Sequence, residues 1–353
     1  MKNQILELLR DSTDYVSGQE LCEHFAVSRT AVWKAVEQLK KDGYIIEAVR
    51  NRGYRLVTAG NDVYNKAEID ASIDTQYIGR NSFFYNIIGS TNTEAKRLAE
   101  EGAVDGTVIV ADRQTAGKGR RGRSWISPEG SNIYFSLLLK PDFNPSQAPM
   151  LTLVMALAVA EAIDSVIKDI GANQNKNDGT DKNIGADKNT GTNSCEVKIK
   201  WPNDIVINGK KVCGILTEMS VERDYIQHVV IGTGINVKRQ KFDAEFAEHA
   251  SSVEEEIDSF VSRSRLIGLI MNAFEKHYEE FKKTGTLNSL KNEYEQYLVN
   301  INREVCVLDP KGEYTGIAQG INDNGELLVR TKDGKVLEVY AGEVSVRGIY
   351  GYV

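Results

Sequence analysis

The sequence predicts an α+β chain of several domains: a winged helix-turn-helix at the N terminus, a mixed-sheet α/β domain in the middle and a small β-barrel at the end. Three observations lead there. Residues 1–62 carry three apolar stripes at helical spacing followed by a short ribbon pattern. Residues 63–300 alternate strand-like apolar runs with long helical ones, and residues 301–353 are short alternating runs broken by Asn324-Gly325 and Asp333-Gly334. At 353 residues the chain is too long for a single core.

In the first unit, Ile5, Leu6, Leu8 and Leu9 mark one helix. Ser17 is placed to cap a second helix carrying Leu21, Cys22 and Phe25. After the turn at Ala26-Val27, Ser28 caps a third, Arg29 to Lys41, with Ala31, Val32, Ala35, Val36 and Leu39 on one face; Asp42-Gly43 ends it. Tyr44 to Glu47 and Tyr54 to Val57 read as strands around Arg50-Asn51-Arg52-Gly53. That element order is the winged helix.

In the middle unit the strand candidates are Phe83 to Ile88, Thr107 to Ala111, Ile133 to Leu139, Val197 to Lys200, Ile205 to Ile207 and Val229 to Ile231. Helices are expected at Thr93 to Glu101, Met150 to Ile170 and Ser264 to Lys283. Residues 172–194 interrupt the pattern with Asn, Asp, Lys and Gly and a single large aliphatic side chain, Ile184. Such a segment buries too little to offset chain entropy and reads as a disordered surface insertion.

Composition excludes several classes. Hydrophobic residues at 41% and charged residues at 26% are those of a soluble globular protein. The net charge of −7 gives no general attraction to nucleic acid, so DNA contact needs a local basic patch. Cys22, Cys195, Cys213 and Cys306 form no C-x-x-C pair, which points to reduced thiols in the cytoplasm; none of the four histidines is assigned a metal. No basic-then-apolar leader opens the sequence. Met150 to Ile163 falls short of the roughly 20 apolar residues of a membrane span and carries Glu161, so it reads as a buried helix, with no membrane partner.

Two segments carry chemistry. In Gln114-Thr-Ala-Gly117-Lys118-Gly119-Arg120-Arg121-Gly122-Arg123-Ser-Trp125 the glycines match G-x-G-x-x-G, yet Pro128 and Gly130 follow where that fingerprint must open a helix. The segment reads instead as a mobile loop that closes on an anion, with Lys118, Arg120, Arg121 and Arg123 to neutralise phosphate. A merely solvated basic loop is the alternative. No P-loop motif occurs. The second segment is Lys200-Trp201-Pro202-Asn203-Asp204, a Lys at a strand end before Pro and two short polar residues. Alone it reads as well as an ordinary turn.

Together with Ser90-Thr91-Asn92 and Gly232-Thr233-Gly234-Ile235-Asn236, these segments resemble the biotin–protein ligases. The winged helix ahead of them matches the bifunctional subgroup that doubles as biotin operon repressor, and the resemblance covers the chain apart from 172–194. Lys118 stands where such loops often have Arg, which keeps the charge and loses the planar fork.

The resemblance implies a central domain of the class II aminoacyl-tRNA-synthetase/biotin ligase type and a barrel of the Src-homology-3 kind. It implies ATP-dependent, AMP-forming activation of biotin to biotinyl-5′-AMP, then transfer to a lysine of the biotin carboxyl carrier protein of acetyl-CoA carboxylase, with Mg²⁺ bridging phosphates. It places Ser90, Thr91, Asn92, Gln114, Lys118, Gly119, Arg120 and Lys200 at biotin. Arg120, Arg121, Arg123, Trp125 and Asn236 fall at the nucleotide, with Trp125 on adenine and Asn236 at its edge. Lys200, Arg120 and Arg123 are the catalytic cations. A carboxylate attacking phosphate needs fixed positive charge more than a protein nucleophile, so the residues suit the step. A lipoate- or other acyl–protein ligase, and a ligand-sensing repressor without turnover, remain as rival readings.

For DNA, residues 28–57 hold seven basic against three acidic side chains, a local excess inside an acidic chain. Ser28, Arg29, Thr30, Trp33 and Lys34 lie at the start of the third helix, with Arg50 and Arg52 on the wing; Trp33 is divided between reading DNA and packing. So small a reader is expected to act as a homodimer on palindromic operator DNA.

Overall fold

The computed structural model describes residues 1–57, 62–177, 195–308, 312–340 and 345–348. The chain opens with α1 (Lys2–Asp11), α2 (Gly18–Phe25) and α3 (Arg29–Lys41), then the antiparallel hairpin β1 (Ile46–Val49) and β2 (Gly53–Leu56). The Ser17 and Ser28 hydroxyls accept from the amides of Glu20 and Ala31, satisfying donors that a helix start leaves open. Ala26 ends α2 in the left-handed region. Ile5, Leu9, Leu21, Val32, Val36 and Leu39 pack into one small core. The first strand begins at Ile46 rather than Tyr44, because the Tyr44 amide donates back to the Leu39 carbonyl and belongs to the close of α3.

The middle unit contains, in order, α4 (Lys66–Ser72), β3 (Ser82–Ile88), α5 (Thr91–Glu100), β4 (Thr107–Gln114), β5 (Asn132–Leu139), α6 (Leu151–Asn177), β6 (Val197–Lys200), β7 (Asp204–Ile207), β8 (Lys210–Glu222), β9 (Tyr225–Asn236), α7 (Val253–Ile257), α8 (Arg263–Thr284) and α9 (Lys291–Tyr297). The seven strands form one mixed sheet in the order β3-β4-β5-β9-β8-β7-β6, with β3 and β4 parallel and the other pairs antiparallel. Alternation divides the strands between two faces. Val108, Val110, Phe135, Leu137, Val229 and Ile231 join the large core with α6 and α8. Ile109, Leu138 and Val230 turn the other way and meet Ala95 and Leu98 of α5.

The segment Pro145–Ala172 is long and apolar enough by composition to cross a membrane, but most of it is buried in this core. Helix α6 runs on to Asn177, past residue 172 where disorder was expected to begin: apolar periodicity ends there, yet a helix anchored by its buried stem continues through polar residues. The rest of that expected insertion, 178–194, lies outside the described residues.

The last unit is β10 (Glu304–Leu308), β11 (Tyr314–Ile321), β12 (Leu327–Thr331), β13 (Val336–Val339) and β14 (Ser345–Gly348), all antiparallel, in the order β13-β12-β11-β10-β14. Gly325 and Gly334 take positive φ at the expected turns. These five antiparallel strands make the expected small C-terminal β domain, with β13 and β14 at the two ends of the strand order among the described residues. The sheet docks on the middle unit: the Trp201 indole donates to the Gly325 carbonyl at 3.0 Å, and Glu295 accepts from the Ile321 amide at 2.9 Å.

One buried ion cluster joins the units. Asp62 meets Arg263 at 2.5 Å and Lys238 at 2.8 Å, while Arg263 also reaches Asp112 at 2.6 Å and lies 3.9 Å over the Tyr64 ring. Glu68 of α4 accepts from Tyr44 and pairs with Arg10, tying α4 to the winged helix.

Candidate active site and DNA-binding face

The strand register places the site on one face of the sheet. Asn132, Tyr134 and Ser136 of β5 lie opposite Asn236, Gly234 and Gly232 of β9, and Gly214, Leu216 and Glu218 of β8 lie opposite Gly234, Gly232 and Val230. Gly214 in turn pairs with Asp204 of β7, and Asp204 with Lys200 of β6. Period-two alternation aims all of them at the side that carries α5.

Under the start of α5 a polar cluster is assembled. The Thr91 amide donates to Gln114 Oε1 at 2.8 Å, and Thr91 Oγ1 lies 2.8 Å from Ser136 Oγ. The Ser136 hydroxyl also lies 2.6 Å from Asn92 Oδ1, and Asn92 Nδ2 donates to Glu218 at 2.8 Å. Lys96 holds the other Glu218 oxygen at 2.6 Å. Burial raises the Glu218 carboxyl, but hydrogen bonds from Lys96 and Asn92 and the charges of Lys96 and Lys118 outweigh it, leaving the carboxyl below its ordinary value. A Cβ on Gly232 would sit 2.0 Å from Asn92 Oδ1, so glycine there lets Asn92 lie across the strand. Ser90, Thr91 and Asn92 are buried, and a helix N-terminus over buried polar groups suits an uncharged polar ligand such as an amide or ureido ring.

The basic glycine segment is the β4–β5 connection. It folds on itself through Gly119 N to Arg123 O at 2.7 Å and Trp125 N to Gly117 O at 2.9 Å, with a single 3₁₀ turn at Arg120–Gly122. Its four cations part company. Arg120 turns inward and donates to Asn203 Oδ1 at 2.7 Å, inside the turn that follows Lys200, and burial pulls its pKa down. Lys118, Arg121 and Arg123 are exposed. Trp125 lies over the glycine trough: Cβ atoms on Gly234 and Gly214 would come within 2.5 and 2.8 Å of its ring. Lys211 sits 5.4 Å above that ring, and the buried indole Nε1 has no hydrogen-bond partner.

Lys200 ends β6 and is only 6% exposed. Its neighbour Asp204 pairs with Lys211 at 2.6 Å, and the Trp201–Pro202 bond is cis. Asn236, at the end of β9, is buried beside Asn132 and donates to the Ser251 carbonyl at 3.1 Å. Ser136, Glu218, Lys96 and Lys211 were not singled out from sequence, and Asn203 was read only as part of the segment that follows Ile199. Ser136, Glu218 and Lys211 reach the site through strand register, Lys96 from α5 and Asn203 from the turn after Lys200, and β8, which carries Glu218 and Lys211, was not recognised as a strand at all.

On the winged helix, Trp33 is 54% exposed, with Thr30 and Lys34 beside it on the outer side of α3, while Val32, Val36 and Leu39 face the core. That settles Trp33 on the surface. The Ser28 hydroxyl is used as a helix cap, and Arg29 donates to Gln19 at 3.1 Å. On the wing Arg50 is exposed, whereas Arg52 pairs with Asp14 at 3.0 Å and stacks 4.3 Å over Tyr15.

This architecture defines a ligase of the acid-activating class joined to a helix-turn-helix domain. The profile of the biotin/lipoate A/B protein ligase family matches residues 84–236, an HTH domain profile matches 2–55, and the biotin protein ligase C-terminal domain matches 301–347. The chain is 35% identical to the bifunctional ligase/repressor BirA of Bacillus spizizenii over 349 residues, 98% of each chain. It is 28% identical to the Escherichia coli protein of that name, covering 95% of this chain and 94% of the other. The biotin protein ligase of Aquifex aeolicus, solved with biotin and ATP, superposes with a TM-score of 0.60 at 30% identity, covering 76% of this chain and 99% of that one. The chain belongs to the bifunctional biotin–protein ligase/repressor family.

Proposed function

We propose that the chain condenses biotin with ATP on the α5 face of the sheet, then passes the biotinyl group to a lysine of the biotin carboxyl carrier protein of acetyl-CoA carboxylase. One observation carries this: a buried polar pocket and a buried lysine share one sheet face, and a basic glycine loop folds over that face and bonds to the lysine's own turn. The relatives' names and the biotin- and ATP-bound structural relative support the choice of acid and nucleotide.

Ser90, Thr91, Asn92 and Gln114, with the backbone at Lys118 and Gly119, hold the ureido ring and orient the acid. The biotin carboxylate attacks the α-phosphate of ATP and expels pyrophosphate, and Lys200 and Arg120 stabilise the charge that grows on the phosphoryl oxygens. Arg121 and Arg123 steer the phosphates, Trp125 covers the adenine and Asn236 meets its edge. Mg²⁺, when bound, neutralises the polyphosphate. The carrier lysine then attacks the mixed anhydride and releases AMP.

The winged helix binds a palindromic operator as a homodimer, reading it with Arg29, Thr30, Trp33 and Lys34 while Arg50 and Arg52 track the backbone. Among the described residues, β8 beyond Ile215 pairs only with β9, so its other edge, beside the exposed Met219 and Val221, offers backbone to a second copy. Mass-detected transfer of biotin to a carrier domain tests the enzyme. Transfer of lipoate in its place, or operator binding with no transfer of either acid, would overturn this reading.

A further inference from the structure

Behind the polar pocket, hydrogen bonds form a row that starts at a charged group. Glu218 of β8 holds Lys96 of α5 at 2.6 Å with one oxygen and accepts from Asn92 Nδ2 at 2.8 Å with the other. Burial raises its carboxyl, but those donors and the lysine charges outweigh it, and the group is ionised at neutral pH. An ionised carboxylate only accepts, so it dictates which end of the Asn92 amide faces it. The NH₂ turns to Glu218, and Oδ1 turns to Ser136 Oγ, 2.6 Å away. Of those two oxygens only Ser136 carries a proton, so Ser136 donates. Its proton spent, Ser136 can only accept from Thr91 Oγ1 at 2.8 Å. Thr91 also lies 3.1 Å from Gln114 Oε1, but a proton sent there would leave buried Thr91 and Ser136 facing each other lone pair to lone pair. Every proton in the row points towards Glu218.

The far end of the row is left with lone pairs only. Thr91 Oγ1 has given its proton to Ser136. Gln114 Oε1 accepts from the Thr91 amide at 2.8 Å, which turns the Gln114 NH₂ to Ser127 Oγ at 3.1 Å. Two acceptors therefore stand 3.1 Å apart in the pocket, where they welcome N–H groups and repel carbonyl oxygen. We infer that Glu218 is a positioning residue that sets substrate choice: acting through Asn92 and Ser136, it fixes Thr91 and Gln114 as acceptors. The pocket then prefers an acid whose ring carries N–H, as a cyclic urea does, over one whose ring has none, such as a dithiolane. This deepens the reading of the site as a biotin pocket and rests on it.

The isosteric variant Glu218→Gln reverses the row without emptying it. A glutamine has one oxygen where two donors ask for one. Lys96, the charged donor, takes that oxygen and leaves the new NH₂ facing Asn92. Asn92 must then flip and donate to Ser136, Ser136 to Thr91, and Thr91 to Gln114 Oε1. Each contact survives with its direction inverted, and the pair of acceptors is closed by its own hydrogen bond. Adding Lys96→Met frees the glutamine oxygen to face Asn92 again and restores the original direction, with water to meet the NH₂ of the partly exposed side chain.

The test is calorimetric titration of biotin into the full chain, with steady-state transfer of biotin to a carrier domain and thermal melts alongside. Glu218→Gln should weaken biotin binding and raise its KM by about ten- to a hundredfold. Turnover at saturating biotin, KM for ATP and the melting curve should stay close to the parent. The double variant Glu218→Gln with Lys96→Met should recover most of the lost affinity. A residue that merely held the fold would not be rescued by deleting a second contact. Parental biotin affinity in Glu218→Gln, or a loss that Lys96→Met leaves in place, would overturn the inference and leave the ligase reading standing. Failure of the unaltered chain to bind and transfer biotin would overturn both.

Discussion

Arg120 Nη1 donates to the side-chain oxygen of Asn203 across 2.7 Å, which fastens the tip of the basic glycine loop to the turn that begins at Lys200. The bond joins the two segments that carry the chemistry. It is worth about 1.5–3 kcal/mol as a charge-assisted contact, enough to hold a loop closed and weak enough to release it.

Replacing Arg120 by Gly removes that latch and leaves Lys200 in place. Adenylate synthesis should continue while the product escapes, because a closed lid is what keeps water and stray amines from a mixed anhydride. Bystander lysines should then acquire biotin in a protein mixture. An Arg120→Gly chain that retains its adenylate as long as the parent would remove the loop from this role.

Lys200→Ala should lower adenylate formation by on the order of 10²–10³, the usual cost of deleting a charge aimed at the transition state. The fold should survive, since Lys200 is the last residue of β6 and the core beneath rests on Ile199 and Trp201. Pyrophosphate release at the parental rate with a parental melting curve would exclude Lys200 from the mechanism.

Gly232→Ala tests the polar pocket without altering any polar group. The new methyl would lie 2.0 Å from Asn92 Oδ1 and must push Asn92 away from Ser136 and Glu218. Ser136 keeps Thr91 and Glu218 keeps Lys96, so losing the two Asn92 contacts should cost about 1–3 kcal/mol of biotin affinity, with a much smaller change in KM for ATP. Equal losses for the two substrates would place Asn92 outside the biotin pocket.

The Asp62–Arg263 pair gives a stability prediction. Burial raises the Asp62 carboxyl, but Arg263, with the Lys238 hydrogen bond, holds it below its unfolded value. The stabilisation is therefore complete above the unfolded carboxyl range near 4 and fades as pH falls through the lower folded value. Arg263→Leu strands a buried carboxylate beside Lys238 alone and should cost about 3–5 kcal/mol at neutral pH. Melting curves from pH 7 down to 3 should show the gap between parent and Arg263→Leu narrowing. A constant gap would mean that the charge of Asp62 contributes nothing.

Local signals carried most of the fold. Ser17 and Ser28 cap as their sequence context indicates, and β6 begins and ends where alternation placed it. The exception is β8, thirteen residues long, whose run from Leu216 to Glu222 mixes charge and hydroxyls because one side faces the ligand pocket and, among the described residues, that stretch pairs on one edge alone. A strand with such a face shows little apolar alternation. The same cause hid Glu218; Ser136 lies on a recognised strand, but its place in the pocket comes from cross-strand register, which β5's own alternation does not show. Lys200 and Arg120 stood out because each sits in a compact motif. That only one of four loop cations turns inward is a tertiary fact that spacing does not encode.

The division on the winged helix separates contacts that read DNA from contacts that hold the wing. Lys34 and Arg50 are exposed, while Arg52 is already engaged by Asp14 and Tyr15. Lys34→Ala and Arg50→Ala should each weaken operator binding and lower the slope of log affinity against log salt by about 1, the signature of one lost phosphate contact. Arg52→Ala should lower it less and loosen the wing instead. Trp33→Ala should cut the preference for operator over random DNA by about 1–3 kcal/mol, with little change in salt slope, because its exposed ring can meet a base edge and carries no charge. All four chains should ligate biotin normally, since none of these side chains lies in the ligase unit. If ordering of the loop at Arg120 by adenylate favours pairing of two ligase units, biotin with ATP should tighten operator binding in every chain that still binds, and carrier domain should reverse the gain. Fluorescence titrations with sedimentation at matched concentrations decide it: equal operator affinity with and without adenylate would break the link between the two activities.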